Sequence, residues 1–144
     1  MKKWISLFLA LALALGCMSF AAAEETRTFT DSTGRTVEVP ANITKIAISG
    51  PLTQIVIFAL APDKLVGVSS DWSEEAKAFI SEEAYNLPKL GQLYGGKGEM
   101  NLEELLASGA QVVIDVGEPK NTVKEDMDAL TEQTGIPFVH ITAT

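Results

Sequence analysis

The sequence predicts a three-layer α/β fold with a mainly parallel sheet and an N-terminal β-hairpin. Short stretches rich in Val and Ile alternate with stretches whose apolar residues recur at helical spacing, and only short turns separate them. An alternation of polar and apolar residues around a tight turn precedes them. Strands that alternate with helices form parallel β-α units, whose ligand sites are expected at the carboxyl ends of the strands.

The first predicted element is a hairpin in TRTFTDSTGRTVEVP, with its turn at Asp31–Gly34 and its end at Pro40. KIAIS is predicted to be a short buried strand. The nearly all-apolar segment Leu52–Leu60 is predicted to be a buried helix, because Pro51 suits a first helical turn and Pro62 prevents continuation.

The middle of the chain is predicted to add one strand and one helix. KLVGVSS has the composition of a strand. A helix is predicted from about Ser73, with Ala76, Phe79 and Ile80 on its buried face.

Two further helices are predicted to begin at capping boxes. Asn101 with Glu104 caps the first, and Thr122 with Glu125 caps the second. Both carry apolar residues at helical spacing, namely Leu102, Leu105 and Leu106 in the first and Val123, Met127 and Leu130 in the second. QVVIDVG and IPFVHI are the strands predicted to follow them.

Residues 1–23 have the pattern of an export signal. Lys2 and Lys3 precede the apolar run Ile5–Leu15, and the small residues Ala21–Ala23 form a cleavage site before Glu24. The run of about 11 residues is shorter than the roughly 20 that span a bilayer. Cleavage would leave 121 residues, enough for one domain. We therefore expect a protein that acts in the periplasm or at the cell surface and is peripheral to the membrane.

Cys17, the only cysteine, allows an alternative in which the protein is a lipoprotein. It follows Ala14, Leu15 and Gly16, a partial match to the site at which exported bacterial lipoproteins are acylated. Cleavage after Ala23 is favoured because that site is better formed.

The charge of the chain argues against binding to nucleic acid. The formal net charge is −8, and removal of residues 1–23, which carry two lysines and no acid, makes it −10. Such a surface repels nucleic acid and anionic lipid, and it favours solubility.

The glycine-rich stretch 91–98 matches the spacing of a nucleotide-binding P-loop from Gly91 to Lys97. A working P-loop needs Ser or Thr after the lysine, where this chain has Gly98, and a buried strand before the first glycine, where it has NLPKLG. Phosphoryl transfer is therefore disfavoured.

Other catalytic and metal sites are also unsupported by the sequence, and we expect neither an enzyme nor a cofactor. His140 is the only histidine, so a zinc or copper site of histidines and cysteines cannot form. A serine nucleophile would depend on His140, and no G-x-S-x-G elbow is present. Pairs of neighbouring acids such as Glu74 and Glu75 usually solvate a helix face.

The mature chain resembles the bacterial substrate-binding proteins of ABC importers for ferric siderophores, haem and cobalamin. The resemblance rests on TFTDSTGRTVEVP, KIAISG, LAPDKLVGVSS, PKLGQ, MNLEELLASGAQVVIDVG and TGIPFVHI, in this order. It implies that residues 24–144 form the N-terminal lobe of a two-lobed protein that closes on an iron chelate or a corrinoid. The connecting helix and second lobe of the family would follow Thr144.

The resemblance also implies the ligand-binding and docking residues. Loops at the carboxyl ends of the strands place five residues as candidates for ligand binding, which are Ser49, Thr53, Trp72, Tyr94 and Lys97. Glu103 matches the glutamate that pairs with arginines of the ABC permease. An extracellular interaction domain that uses the same lobe without transport is the alternative.

Overall fold

The computed structural model describes residues 25–94 and 99–143. Within these ranges the strands are β1 (Thr26–Thr30), β2 (Thr36–Pro40), β3 (Ile46–Ile48), β4 (Val112–Gly117) and β5 (Phe138–Thr142). The α-helices are α1 (Pro51–Leu60), α2 (Glu82–Tyr85), α3 (Leu102–Ala107) and α4 (Val123–Thr134). Two 3₁₀ helices cover Pro62–Lys64 and Glu74–Ala78. The predicted signal of residues 1–23 and its Cys17 lie outside the described residues.

The strands form an antiparallel hairpin and a parallel sheet. In the hairpin, Thr26 of β1 pairs with Pro40 of β2. In the sheet, β4 lies between β3 and β5 and runs parallel to both. The predicted α/β class, with a parallel sheet after an N-terminal hairpin, is confirmed.

Two apolar clusters cover the two faces of the parallel sheet. Alternate strand residues point to opposite faces, so Val113 and Phe138 join one cluster while Val112 and Val139 join the other. The first cluster includes residues of α3 and α4, and the second includes Ile57 of α1 and the inner face of β2. The sheet is thus the middle of three layers.

The prediction of a strand at KLVGVSS is wrong. The segment makes only two isolated bridges, from Leu65 to Ile46 and from Val68 to Lys89. The N–H of Val66 donates to the carbonyl of Ile46, whereas the N–H of Val68 donates to the carbonyl of Pro88. The segment therefore changes its hydrogen-bonding partner between Val66 and Val68. Pro88 has no N–H with which to extend a ladder.

The helix predicted from Ser73 is also different in the structure. Ser73 caps a 3₁₀ helix that ends at Ala78, and Ser81 caps the separate short helix α2. A 3₁₀ helix has three residues per turn, so the face predicted for an α-helix is not maintained. Phe79 is 87% exposed instead of buried. Leu106, predicted in the core stripe of α3, is likewise half-exposed, whereas Leu105 is fully buried.

The two predicted capping boxes form only in part. Asn101 accepts a hydrogen bond from the Glu104 N–H at 3.1 Å, but its own N–H donates to the carbonyl of Leu90 and so is not available to the Glu104 side chain. Thr122 makes no capping bond to the helix backbone, and its hydroxyl donates to the Asp126 carboxylate at 2.8 Å.

Candidate functional site

A small open cleft of about 180 Å³ lies at the carboxyl ends of β3 and β4. Its walls come from the junction of β3 and α1, from the end of β4 and the loop after it, and from the loop before α3. The residues used below are Ser49, Thr53, Tyr94, Asp115, Glu118 and Lys120. The cleft is therefore at the edge of the sheet where a ligand site is expected.

The carboxylate of Asp115 joins the ends of all three parallel strands. One of its oxygens accepts a hydrogen bond from the Ser49 hydroxyl, which follows β3. The other lies 2.7 Å from Nδ1 of His140 on β5. These contacts form because the register places Asp115 directly beside His140 and places Ile114 beside Ile48, the residue before Ser49.

Thr53 connects α1 to the same edge. Its hydroxyl oxygen accepts a hydrogen bond from the Val116 N–H at 2.9 Å and lies 3.2 Å from the Ser49 hydroxyl. Both residues are buried, with 1% of Thr53 and 3% of Ser49 exposed. Their hydroxyl groups are thus committed to internal hydrogen bonds, and they shape the cleft wall.

Tyr94 connects the lining of the cleft to α4. Its hydroxyl donates to the Asp126 carboxylate at 3.1 Å, and its ring packs against the apolar cluster that α3 and α4 cover. Burial raises the pKa of Tyr94, and the hydrogen bond and the charge of Asp126 raise it further. At neutral pH the phenol is therefore protonated.

Trp72 lies outside the lining of the cleft. Its indole N–H donates to the carbonyl of Ala84 at 2.9 Å, and its ring packs against Phe58 with 5.0 Å between the ring centres. Phe58 is near the end of α1, whereas the cleft adjoins the beginning of that helix. The structure thus brings together Ser49, Thr53 and Tyr94 and separates Trp72 from them.

The remaining candidates are differently placed. Lys97, with the neighbouring glycines Gly95, Gly96 and Gly98, lies outside the described residues. Glu103 is exposed in the first turn of α3. The ligand and docking roles of these residues stay predictions.

Gly91 has a structural reason to be glycine. Its φ of 77° is in the left-handed region, and a Cβ atom would overlap the carbonyl oxygen of Glu99. The first glycine of the P-loop-like spacing therefore allows two main-chain segments to approach each other.

Reasoning from the sequence missed Asp115 as the centre of the edge and did not find Glu118 or Lys120 in the cleft. The signal for Asp115 was an acidic residue near the end of the apolar strand VVID. His140 is fully buried, and its Nε2 has no hydrogen-bond partner among the described residues.

The order of these groups differs from that of a serine hydrolase. In a hydrolase the histidine lies between serine and carboxylate, so that it can take the serine proton. Here the carboxylate lies between Ser49 and His140. Among the described residues, the arrangement therefore lacks the hydrogen bond from serine to histidine on which that mechanism depends.

Two kinds of feature are absent from residues 25–94 and 99–143. No cluster of three or more His, Cys, Asp or Glu side chains there could hold a metal ion. No helix in these ranges is long and apolar enough to cross a bilayer.

Comparison with known proteins identifies the fold. No protein-family model and no curated protein matches the chain. Among solved structures, an ABC transporter solute-binding protein from Sulfurospirillum deleyianum matches 81% of this chain with 28% identity and a TM-score of 0.66. The molybdate periplasmic binding protein MolA of Haemophilus influenzae, bound to molybdate, matches 81% with 26% identity and a TM-score of 0.59.

A periplasmic solute-binding protein from Veillonella parvula shares the fold over 83% of the chain, with 22% identity and a TM-score of 0.62. The chain spans only 34% to 36% of the length of these three structures. The resemblance found in the sequence is confirmed: the chain is similar in sequence to two of these ABC transporter solute-binding proteins and shares the fold of a lobe with all three.

Proposed function

We propose that this chain is a solute-binding component of an ABC importer, which captures an iron complex or cobalamin and delivers it to the permease. The observation that carries the proposal is the cleft at the carboxyl edge of the sheet, in a fold shared with solute-binding proteins. Because the chain spans about a third of those proteins, a facing lobe would supply the other wall of the site. A ligand held between two walls buries more of its surface than one held by a single shallow cleft.

In this proposal the described residues have different roles at the ligand wall. Ser49 and Thr53 hold the main chain of the wall through their internal hydrogen bonds. The half-buried ring of Tyr94 offers a flat surface to a chelate or a corrin ring. Lys120 would attract an anionic complex, whereas Asp115 and Glu118 oppose one. The same attraction by Lys97 is a prediction from the sequence alone. Trp72 is not among the residues that line this cleft, and its role in ligand binding stays a prediction.

The export of the protein belongs to the same proposal. Residues 1–23 would direct export, and the mature chain would begin at Glu24. A lipid anchor at Cys17 would instead retain the protein at the membrane surface. Mass spectrometry of the N-terminus of the exported protein distinguishes these two forms.

Ligand binding is tested with the protein as its host exports it. We expect isothermal titration to show saturable binding of one class among a ferric catecholate, a ferric hydroxamate, haem and cyanocobalamin. Binding of molybdate alone would contradict the proposal. Tyr94→Ala should weaken that binding by about tenfold, because the ring area offered to the ligand is lost.

Tyr85→Ala is the matched control for Tyr94→Ala. Tyr85 is the other tyrosine of the chain, and it contacts Glu74 and Lys77 away from the cleft. It should leave the affinity unchanged. Binding of none of these solutes would contradict the proposal, and equal effects of the two substitutions would remove Tyr94 from the site.

A further inference from the structure

A second cavity, which we call the flank cavity, lies at the opposite end of α1 from the cleft. Its volume is about 440 Å³, and it shares no lining residue with the cleft. Phe58, Leu65, Phe79 and Leu87 provide its apolar walls, and Asp63 and Glu83 provide carboxylates. We propose that the flank cavity is a binding site for a compact apolar cation, such as an aromatic quaternary ammonium compound.

The size and the walls of the flank cavity suit a small apolar molecule. Pockets for small ligands commonly enclose about 300–1,000 Å³ and are lined by aromatic and aliphatic side chains. Phe79 is 87% exposed at this cavity, although burial of so large an apolar side chain is favourable. A ligand in the cavity would cover part of the Phe79 ring.

The charge around the flank cavity selects a cation. Asp63 and Glu83 are exposed and make no ion pair or side-chain hydrogen bond with any residue in 25–94 or 99–143. Residues 62–87 contain six acidic and two basic residues. An aromatic face beside two carboxylates attracts a cation through both the ring quadrupole and the negative charges.

The nearby lysines are engaged elsewhere, so they do not neutralise these carboxylates. Lys64 donates to the carbonyl of Ile43 at 2.9 Å. Lys77 lies 5.3 Å from the centre of the Tyr85 ring, and Lys89 pairs with Asp71.

Trp72 can report on ligand binding at the flank cavity through its fluorescence. Trp72 packs on Phe58, a wall of the flank cavity, with an interplanar angle of 56°. A ligand that contacts Phe58 should alter the surroundings of the Trp72 indole. Trp4 is the only other tryptophan, so the full chain with Trp4→Phe reports on Trp72 alone.

The test is a fluorescence titration of this Trp4→Phe protein, with isothermal titration as an independent measurement. The probes are benzyltrimethylammonium, the neutral benzyl alcohol and the anion benzenesulfonate. We expect the cation to bind about tenfold more tightly than the other two. Phe79→Ala should weaken cation binding by about fivefold, and it should leave the fold intact because Phe79 is exposed.

Two further variants identify the site and the origin of the charge selectivity. Asp63→Asn combined with Glu83→Gln should abolish the preference for the cation and leave the affinity for benzyl alcohol unchanged. Tyr94→Ala, in the separate cleft, should have no effect on any of the probes. The proposal is overturned if no probe binds at millimolar concentration, if the three probes bind equally, or if Tyr94→Ala rather than Phe79→Ala weakens binding. It does not rest on transport, so either proposal can fail alone.

Discussion

At the residue scale, Asp31 shows how one buried charge is stabilised. Its Oδ1 accepts hydrogen bonds from the Thr33 hydroxyl and N–H and from the Arg35 N–H, and its Oδ2 lies 3.1 Å from the Arg35 guanidinium. Burial acts to raise the pKa of Asp31, but the hydrogen bonds from Thr33, Arg35 and His140 outweigh it, and the pKa is lowered from its ordinary value of 3.8. The carboxylate connects the hairpin turn to β5 through the His140 N–H.

Asp31→Asn should lower the free energy of unfolding at pH 7 by about 3 kcal/mol, because Arg35 would lose its buried partner. A lowered pKa in the folded state stabilises the fold above the unfolded pKa. This stabilisation is lost as the pH falls below 3.8 through the lowered folded pKa. The difference between the wild type and the variant should therefore shrink below pH 3.8, as measured by urea denaturation across pH.

Asp128→Asn is the control, since Asp128 pairs with the same Arg35 at 2.7 Å but its side chain is 69% exposed. An ion pair whose carboxylate is exposed contributes little to stability, so Asp128→Asn should lower the free energy of unfolding by less than about 1 kcal/mol. A pH-independent difference between the wild type and Asp31→Asn would contradict the role of the charge.

At the scale of elements, the segment around Gly91 packs against the residues that precede α3. The N–H of Asn101 donates to the carbonyl of Leu90 at 2.8 Å, so the segment before α3 runs against residues 90 and 91. Contact between these segments leaves no space for a side chain at Gly91. Gly34, in the hairpin turn, shares the left-handed φ, at 81°, but has open space around it.

Gly91→Ala should therefore destabilise the protein more than Gly34→Ala. Both changes carry a left-handed penalty of about 1–2 kcal/mol. Only Gly91→Ala adds a clash with main-chain atoms, which should bring its total to about 3 kcal/mol or more. Thermal denaturation of the two variants measures the loss of stability in each. Equal losses of stability would show that the main-chain contact at Gly91 does not add to the cost of a side chain there.

At the scale of the whole molecule, the proposed delivery of a solute requires contact with a permease. Glu103 is exposed at the start of α3, beside the buried Leu105. Two of the solved structures similar to this chain, at 28% and 26% identity, are solute-binding proteins of ABC transporters. A single charge at the rim of an interface mainly directs association and specificity.

Glu103→Ala should reduce solute uptake by about fivefold in cells that carry the cognate permease, while solute affinity in solution stays unchanged. Glu125→Ala is the matched control, because Glu125 is an exposed acid in the first turn of α4 and contributes the same kind of charge to a helix start. Unchanged uptake with Glu103→Ala would remove this residue from the docking surface.

By itself, the sequence determined the hairpin, most of the helices and the three paired strands, because side-chain periodicity and turn residues are local signals. It also indicated the edge of the sheet at which the cleft lies, since parallel β-α units place their carboxyl ends together. The strand predicted at KLVGVSS and the buried position predicted for Phe79 were wrong. Both depend on which distant segment packs against the chain, and local periodicity does not contain that information.

Only the tertiary structure decided which side chains meet. Asp115 bridges Ser49 and His140, which are 66 and 25 residues away in the chain, because strand register brings them side by side. Trp72 was grouped with Tyr94 in the prediction, yet it packs on Phe58 at the far end of α1. Strand order and helix packing set these distances, so the composition of the cleft and the existence of the flank cavity follow from the folded chain alone.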